Sequence, residues 1–183
     1  MTQQTTTPKQ ETLRLGLVLG SIAFFVALML SVVNAVAAPI IEEYAKEQEA
    51  IAFSALFPDA TEFRQASPGD PEITPSARTV YQDGKLLGVV VTATPRGYDG
   101  KMELLIGFDT QRCVTGIQFL TLSETVGIGT RVKEESYWGQ YLGQSDFSGI
   151  DAITGASISS KAVKSGVEAA AQLAIAIMEQ EVE

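Results

Sequence analysis

The chain contains no histidine and a single cysteine, Cys113, in 183 residues. The missing histidine removes His-dependent catalytic triads, the usual His-containing zinc sites and His-ligated haem. A lone cysteine removes an intrachain disulfide, a Cys-ligated iron–sulfur cluster and any multi-Cys metal site. It also lies too far from the N-terminus to anchor a lipoprotein. Basic residues are few: 13 Lys+Arg stand against 22 Asp+Glu, for a net charge of −9, and no basic stripe is present. That balance argues against nucleic acid as a partner. With 45% hydrophobic residues and 19% charged residues, the chain is too apolar to be disordered and too poor in charge for a coiled coil.

What is present begins with an uncharged run from Leu15 to Ala38. A helix of about 20 apolar residues spans the hydrocarbon of a bilayer. Its backbone polar groups must be satisfied internally, which demands a helix. Asn34 is the one strongly polar side chain, near the distal end. Lys9 and Arg14 precede the run, diluted by Glu11, and Glu42 and Glu43 follow it. The positive-inside rule then leaves the N-terminus in the cytoplasm and exports the remainder. A cleaved signal peptide is the alternative, with Ala35-Val36-Ala37 as its processing site. The run exceeds the roughly 7–15 residues of a secretory apolar region, which favours retention. The organisation expected is a cytoplasmic tail over 1–14, a transmembrane helix over 15–38, a connecting helix and linker over 39–75, and a domain over 76–183.

Within 39–75, Pro39 to about Phe57 reads as a helix with a wet face, and Ser67 to Pro71 reads as a turn-rich connector. Two β-branched runs, 79–82 and 85–92, flank Asp83-Gly84, a two-residue hairpin signal. Runs 102–109 and 114–122 read as further strands, joined by a short turn at Thr110 to Cys113 in which the cysteine is incidental. Val132 to Leu142 looks helical, with Tyr137, Trp138, Tyr141 and Leu142 plugging a core. Ser159 to about Glu181 is an Ala-rich helix whose buried stripe is Ala162, Val163, Gly166, Val167, Ala170, Ala171, Ala174, Ile175 and Met178. The fold class expected is α+β: an antiparallel sheet with packed helices, tethered by one N-terminal transmembrane helix.

Chemistry concentrates in two glycine-bearing loops. Ser123 to Arg131 joins a strand to a helix, and Gly127 and Gly129 permit close approach of a flat ligand or a positive φ. Glu124 and Thr125 supply polar groups at the strand end. This is not a G-x-G-x-x-G loop and lacks a βαβ setting. Asp151-Ala-Ile-Thr-Gly-Ala-Ser-Ile-Ser-Ser160 places small and hydroxylated residues directly before a helix. Uncapped N–H groups and the positive dipole end suit a phosphate there. Ser159 or Ser160 is the expected N-cap. Gly155 and Ala156 leave the Ser157 hydroxyl unshielded.

This second run resembles the flavinylation motif of FMN-binding domains, Asp-x-x-(Ser/Thr)-Gly-Ala-(Thr/Ser)-x-(Thr/Ser). Glu124 to Gly129 resembles the Glu-Thr-Pro-Gly-Leu-Gly segment of the same domains, and Gly97 to Lys101 their Gly-Tyr-Gly-Gly-x loop. The resemblance runs in order from about residue 10 to 180. It is first to the G subunit of the Rnf ion-pumping electron-transport complex and second to the C subunit of the sodium-pumping NADH:quinone reductase.

The resemblance implies FMN joined through its phosphate to a motif hydroxyl, here Ser157, by a separate flavin transferase that uses FAD and releases AMP. It implies that Thr154, Gly155 and Ala156 cradle the phosphate, and that Lys161 either neutralises it or is simply solvated. It implies that Glu124 and Thr125 hydrogen-bond the ring edge, beside Gly127 and Gly129. The implied function is electron transfer in a membrane ferredoxin:NAD⁺ oxidoreductase that moves Na⁺ or H⁺. Its partners would be other membrane and iron–sulfur subunits, and its domain would lie outside the inner membrane on a single-pass anchor. Ser stands where Thr is commoner, Val126 where the family has Pro, Ile128 where it has Leu, and Leu122 where relatives often have His. Two alternatives stay open: a flavinylated quinone-reductase subunit or freestanding flavin relay, and a cofactor-free scaffold whose Gly-Ala-Ser run only starts a helix.

Overall fold

The structure is a computed structural model, and it describes residues 8–67 and 69–181. The first seven residues of the expected tail, and Pro68 of the expected connector, lie outside the described residues. The chain divides into two units, Met1–Glu47 and Gln48–Glu183.

The first unit is helical. Helix α1, Pro8–Leu56, is one element of 49 residues that begins here and runs on into the second unit. Pro39 lies inside it. Proline removes one backbone donor and usually kinks or ends a helix, yet the helix runs unbroken through this one. Thr12–Leu56 is long and apolar enough to cross a membrane, and its most apolar 18-residue window has a mean hydropathy of 2.5. The side chains from Leu13 to Val36 are exposed, as lipid-facing residues would be.

The second unit is a five-stranded antiparallel meander, β1-β2-β3-β4-β5. Its strands are β1 (Glu62–Ala66), β2 (Ser76–Gln82), β3 (Lys85–Ala93), β4 (Met102–Asp109) and β5 (Val114–Leu122). The β2–β3 hairpin turns at Asp83 (φ 50°) and Gly84 (φ 82°), two left-handed residues that suit the twist of the flanking strands. Strand β1 lies in the stretch read above as linker. It is short, mostly exposed and at the sheet edge, so it carries no alternating apolar signal.

Alternation along the central strands feeds two cores, one on each face. Val89, Val91, Ala93, Leu104, Ile106 and Phe108 face α2 (Glu135–Trp138) and α3 (Ser157–Gln180). Val80, Val90 and Leu105 meet Ala52, Phe53, Leu56 and Phe57 from the end of α1 and the residue after it. The end of α1 therefore covers one sheet face and belongs to this unit. Helix α3 buries Ala162, Val163, Gly166, Val167, Ala170, Ala174 and Met178 as the spacing indicates, and adds Ile177; Ala171 and Ile175 are half-buried. Val132 to Leu142 is α2 between two 3₁₀ turns, Gly129–Lys133 and Gly139–Tyr141. Tyr137 and Tyr141 are buried, Trp138 is half-buried against the same core, and Leu142 turns outward.

Gly88 in β3 shows what the α1 face demands. A Cβ there would overlap the Phe108 carbonyl oxygen and stand 2.9 Å from Phe57 Cζ. Backbone cannot yield as a flexible side chain can. Gly88→Ala is expected to destabilise the domain by about 1–3 kcal/mol, measurable by thermal or denaturant unfolding. A stability equal to that of the wild type would mean the strand and Phe57 pack less tightly than described.

Candidate functional site

Three segments meet at one end of the sheet. The β3–β4 connection closes on itself through Gly97 N–H to Gly100 O (2.8 Å) and Met102 N–H to Pro95 O (3.0 Å), and presents Tyr98. The loop after β5 closes through Ile128 N–H to Thr125 O (3.2 Å) and Gly127 N–H to Thr130 Oγ1 (2.9 Å). The third segment is the start of α3.

Helix α3 starts two residues earlier than expected. Ser157 is its first residue and Ala156 its N-cap, with no side-chain cap bond. Ser159 and Ser160 are therefore not the cap; both are buried in the first turn. The Ser160 hydroxyl donates to Ala156 O (2.9 Å) and accepts from Ile153 N–H (3.1 Å), tying the helix to the turn before it. Tyr137 donates to Ser160 O (2.9 Å), and its oxygen lies 3.1 Å from that of Tyr141. Gly155 sits at φ +86° with open space around a would-be Cβ, so conformation rather than room requires glycine there. Of the three hydroxyls at this helix start, Ser157 alone is exposed.

These segments enclose a cleft of about 420 Å³, within the usual range for a small-molecule site. It is lined by Tyr98, Glu124, Thr125, Ile128, Gly129 and Gly155 to Ser159. Six residues singled out from the sequence thus come together: Glu124, Thr125, Gly129, Gly155, Ala156 and Ser157. Gly127, at φ +78°, shapes the loop without lining the cleft. Thr154 and Lys161 are exposed and also outside the lining. Tyr98, Ile128, Ile158 and Ser159 line it although the sequence did not mark them as site residues. Tyr98 and Ile128 sit inside quoted motif segments, so the signal existed; Ile158 occupies a motif position open to any residue.

Glu124 is only 7% exposed. Its Oε1 accepts Tyr98 N–H (2.8 Å) and its Oε2 accepts the Ser159 hydroxyl (2.8 Å). Both carboxylate oxygens are thus engaged within the protein.

The cleft suits a flat phosphorylated cofactor. An aromatic ring and two isoleucines form apolar walls, while one end carries an exposed hydroxyl beside uncapped helix N–H groups. The FMN-binding domain family matches residues 97–172. Over 188 residues the chain is 30% identical to the G subunit of the Na⁺-translocating ferredoxin:NAD⁺ oxidoreductase complex of Acetobacterium woodii, across 87% of this chain and 90% of that protein. The chain belongs to this family of G subunits. The G subunit of the ion-translocating oxidoreductase complex of Methanosarcina acetivorans is 29% identical over 68% of this chain and 73% of its own length. A crystal structure of Shewanella oneidensis NqrC is a more distant likeness, at TM-score 0.42 and 19% identity over 64% of this chain and 66% of that one. The segment matched by the FMN-binding family contains every residue lining the cleft and omits β1 to β3.

The tyrosine pair that anchors the start of α3 leaves a pH signature. Burial pushes the Tyr137 hydroxyl above the ordinary phenol range, and does so more strongly at Tyr141. In the unfolded chain both ionise near pH 10, about the free value, while the folded state keeps their protons. Their contribution is complete below about pH 10 and is lost as pH rises beyond it. Tyr141→Phe is expected to flatten that alkaline decline and to lower stability at neutral pH by about 1 kcal/mol. Unfolding curves across the alkaline range check this, and an unaltered slope would remove Tyr141 as its source.

Proposed function

We propose that this protein is the flavin-bearing electron-transfer subunit of an ion-translocating ferredoxin:NAD⁺ oxidoreductase, with FMN joined covalently to Ser157. One observation carries the reading: an exposed serine hydroxyl stands at an uncapped helix start and opens into an apolar-walled cleft. Kinship with the G subunits named for such complexes supports the electron-transfer role.

Bound FMN supplies one- and two-electron redox chemistry. The chain's own residues hold and orient it. Tyr98, Ile128 and Ile158 would give the flavin an apolar, water-poor seat. The first N–H groups of α3 and the glycine at 155 would hold the phosphate, with Ala156 keeping its approach open. Thr125 offers a hydroxyl at the cleft wall. Lys161 and Thr154, outside the lining, contribute at most through field and solvation. Attachment joins Ser157 Oγ to the FMN phosphorus as the FAD pyrophosphate breaks; the hydroxyl loses its proton and AMP departs. A separate flavin transferase performs this step. The covalent link keeps the cofactor from washing out of an exported domain.

The anchor is α1, over the transmembrane run 15–38, with 1–14 cytoplasmic and the unit that begins at Gln48 outside the cytoplasmic membrane. Lys9 and Arg14 before the run and Glu42 and Glu43 after it support that orientation. A tether of this kind raises the effective concentration of the domain at neighbouring membrane and iron–sulfur subunits.

Ser157→Ala is expected to abolish covalent flavin while leaving the domain folded, and Ser157→Thr to retain it. Intact mass and in-gel flavin fluorescence after denaturation read this out. Fluorescence persisting in Ser157→Ala would exclude Ser157 as the attachment point.

A further inference from the structure

The buried carboxylate of Glu124 has two partners on two different segments. Tyr98 N–H comes from the β3–β4 connection, and the Ser159 hydroxyl from the first turn of α3. Glu124 itself begins the third segment of the cleft. A single side chain therefore joins all three.

The glycines around it make room for this arrangement. A Cβ at Gly97 would overlap Glu124 Oε1, and one at Gly129 would overlap Oε2 while standing 3.0 Å from Ser159 Oγ. Glycine at both positions leaves the volume that the carboxylate fills. Each flanking loop is already closed by its own backbone bonds, so fixing one atom of a loop fixes the whole loop. Leaving either carboxylate oxygen without its donor in a buried setting is strongly unfavourable, and this drives the three segments to stay together.

We propose that Glu124 is a positioning residue. Its carboxylate, held by Ser159, sets the place of the Tyr98 wall relative to the start of α3, and so shapes the cleft without donating a contact to what lies inside it. Ser159, the hydroxyl two residues past the attachment serine, is the strut that holds Glu124 and not a second acceptor. This deepens the flavin reading and rests on it only for its effect on the bound ring.

Two measurements test it on the full chain. In the flavin-free Ser157→Ala background, adding Ser159→Ala is expected to speed exchange of the Tyr98 amide about tenfold or more, and Ser159→Thr to restore protection. The hydrogen-bonded route from Ser159 to the Tyr98 amide runs through Glu124, and unchanged Tyr98 exchange would overturn the proposal. In flavin-loaded chains carrying Ser157, Ser159→Ala is expected to keep the adduct mass but weaken the flavin's induced visible circular dichroism, with Ser159→Thr restoring it. An identical dichroism spectrum would overturn the effect on the ring. Should Ser159→Ala fail to fold, Ser159→Cys, whose thiol is only a weak donor, takes its place in both measurements. A wild-type chain bearing no adduct would sink the flavin reading, while the amide exchange would still decide the strut.

Discussion

The cleft depends on how closely α3 lies against the sheet. Its inward stripe is small, built from Ala162, Gly166, Ala170 and Ala174. At Gly166 the approach is close: an added Cβ would stand 2.9 Å from Pro95 Cγ. Pro95 lies in the β3–β4 connection that carries Tyr98. One packing contact thus links the seat of the helix to the root of the opposite wall. Large side chains along the stripe would lift α3, and the Ser157 hydroxyl would move away from the other residues that line the cleft.

Both faces of the central strands are buried. Val89 and Val91 look toward α3 while Val90 looks toward α1, and the same division separates Leu104 and Ile106 from Leu105. A half-wet antiparallel sheet would need only one covering layer. Here the second layer comes from the last turns of the helix that begins in the membrane-spanning run, so Phe53, Leu56 and Phe57 serve the domain and not only the anchor.

Much of this was legible in residue order. The Asp83-Gly84 hairpin, the strands 102–109 and 114–122 and the small-residue stripe of α3 each carry a strong local signal, and each forms as read. Strand β1 carries none, being an exposed edge held by pairing to β2 rather than by alternation. The start of α3 departs from expectation for a related reason: Ser159 and Ser160 look like caps, but their hydroxyls are drawn to Glu124 and to Ala156 O, partners that only the tertiary fold supplies. Its place at the strand end and the resemblance to FMN-binding domains marked Glu124 as part of the site. Which way its carboxylate faces is a property of three segments together, and no single stretch of sequence encodes it.

That separation along the chain has a further meaning. Tyr98, Glu124 and Ser157 are brought together only after the meander has closed and the last helix has docked. A short peptide bearing the Thr-Gly-Ala-Ser run would offer the same hydroxyl with no walls around it. A partner that must fit the cleft to reach Ser157 would therefore meet its complete surface only on the folded chain.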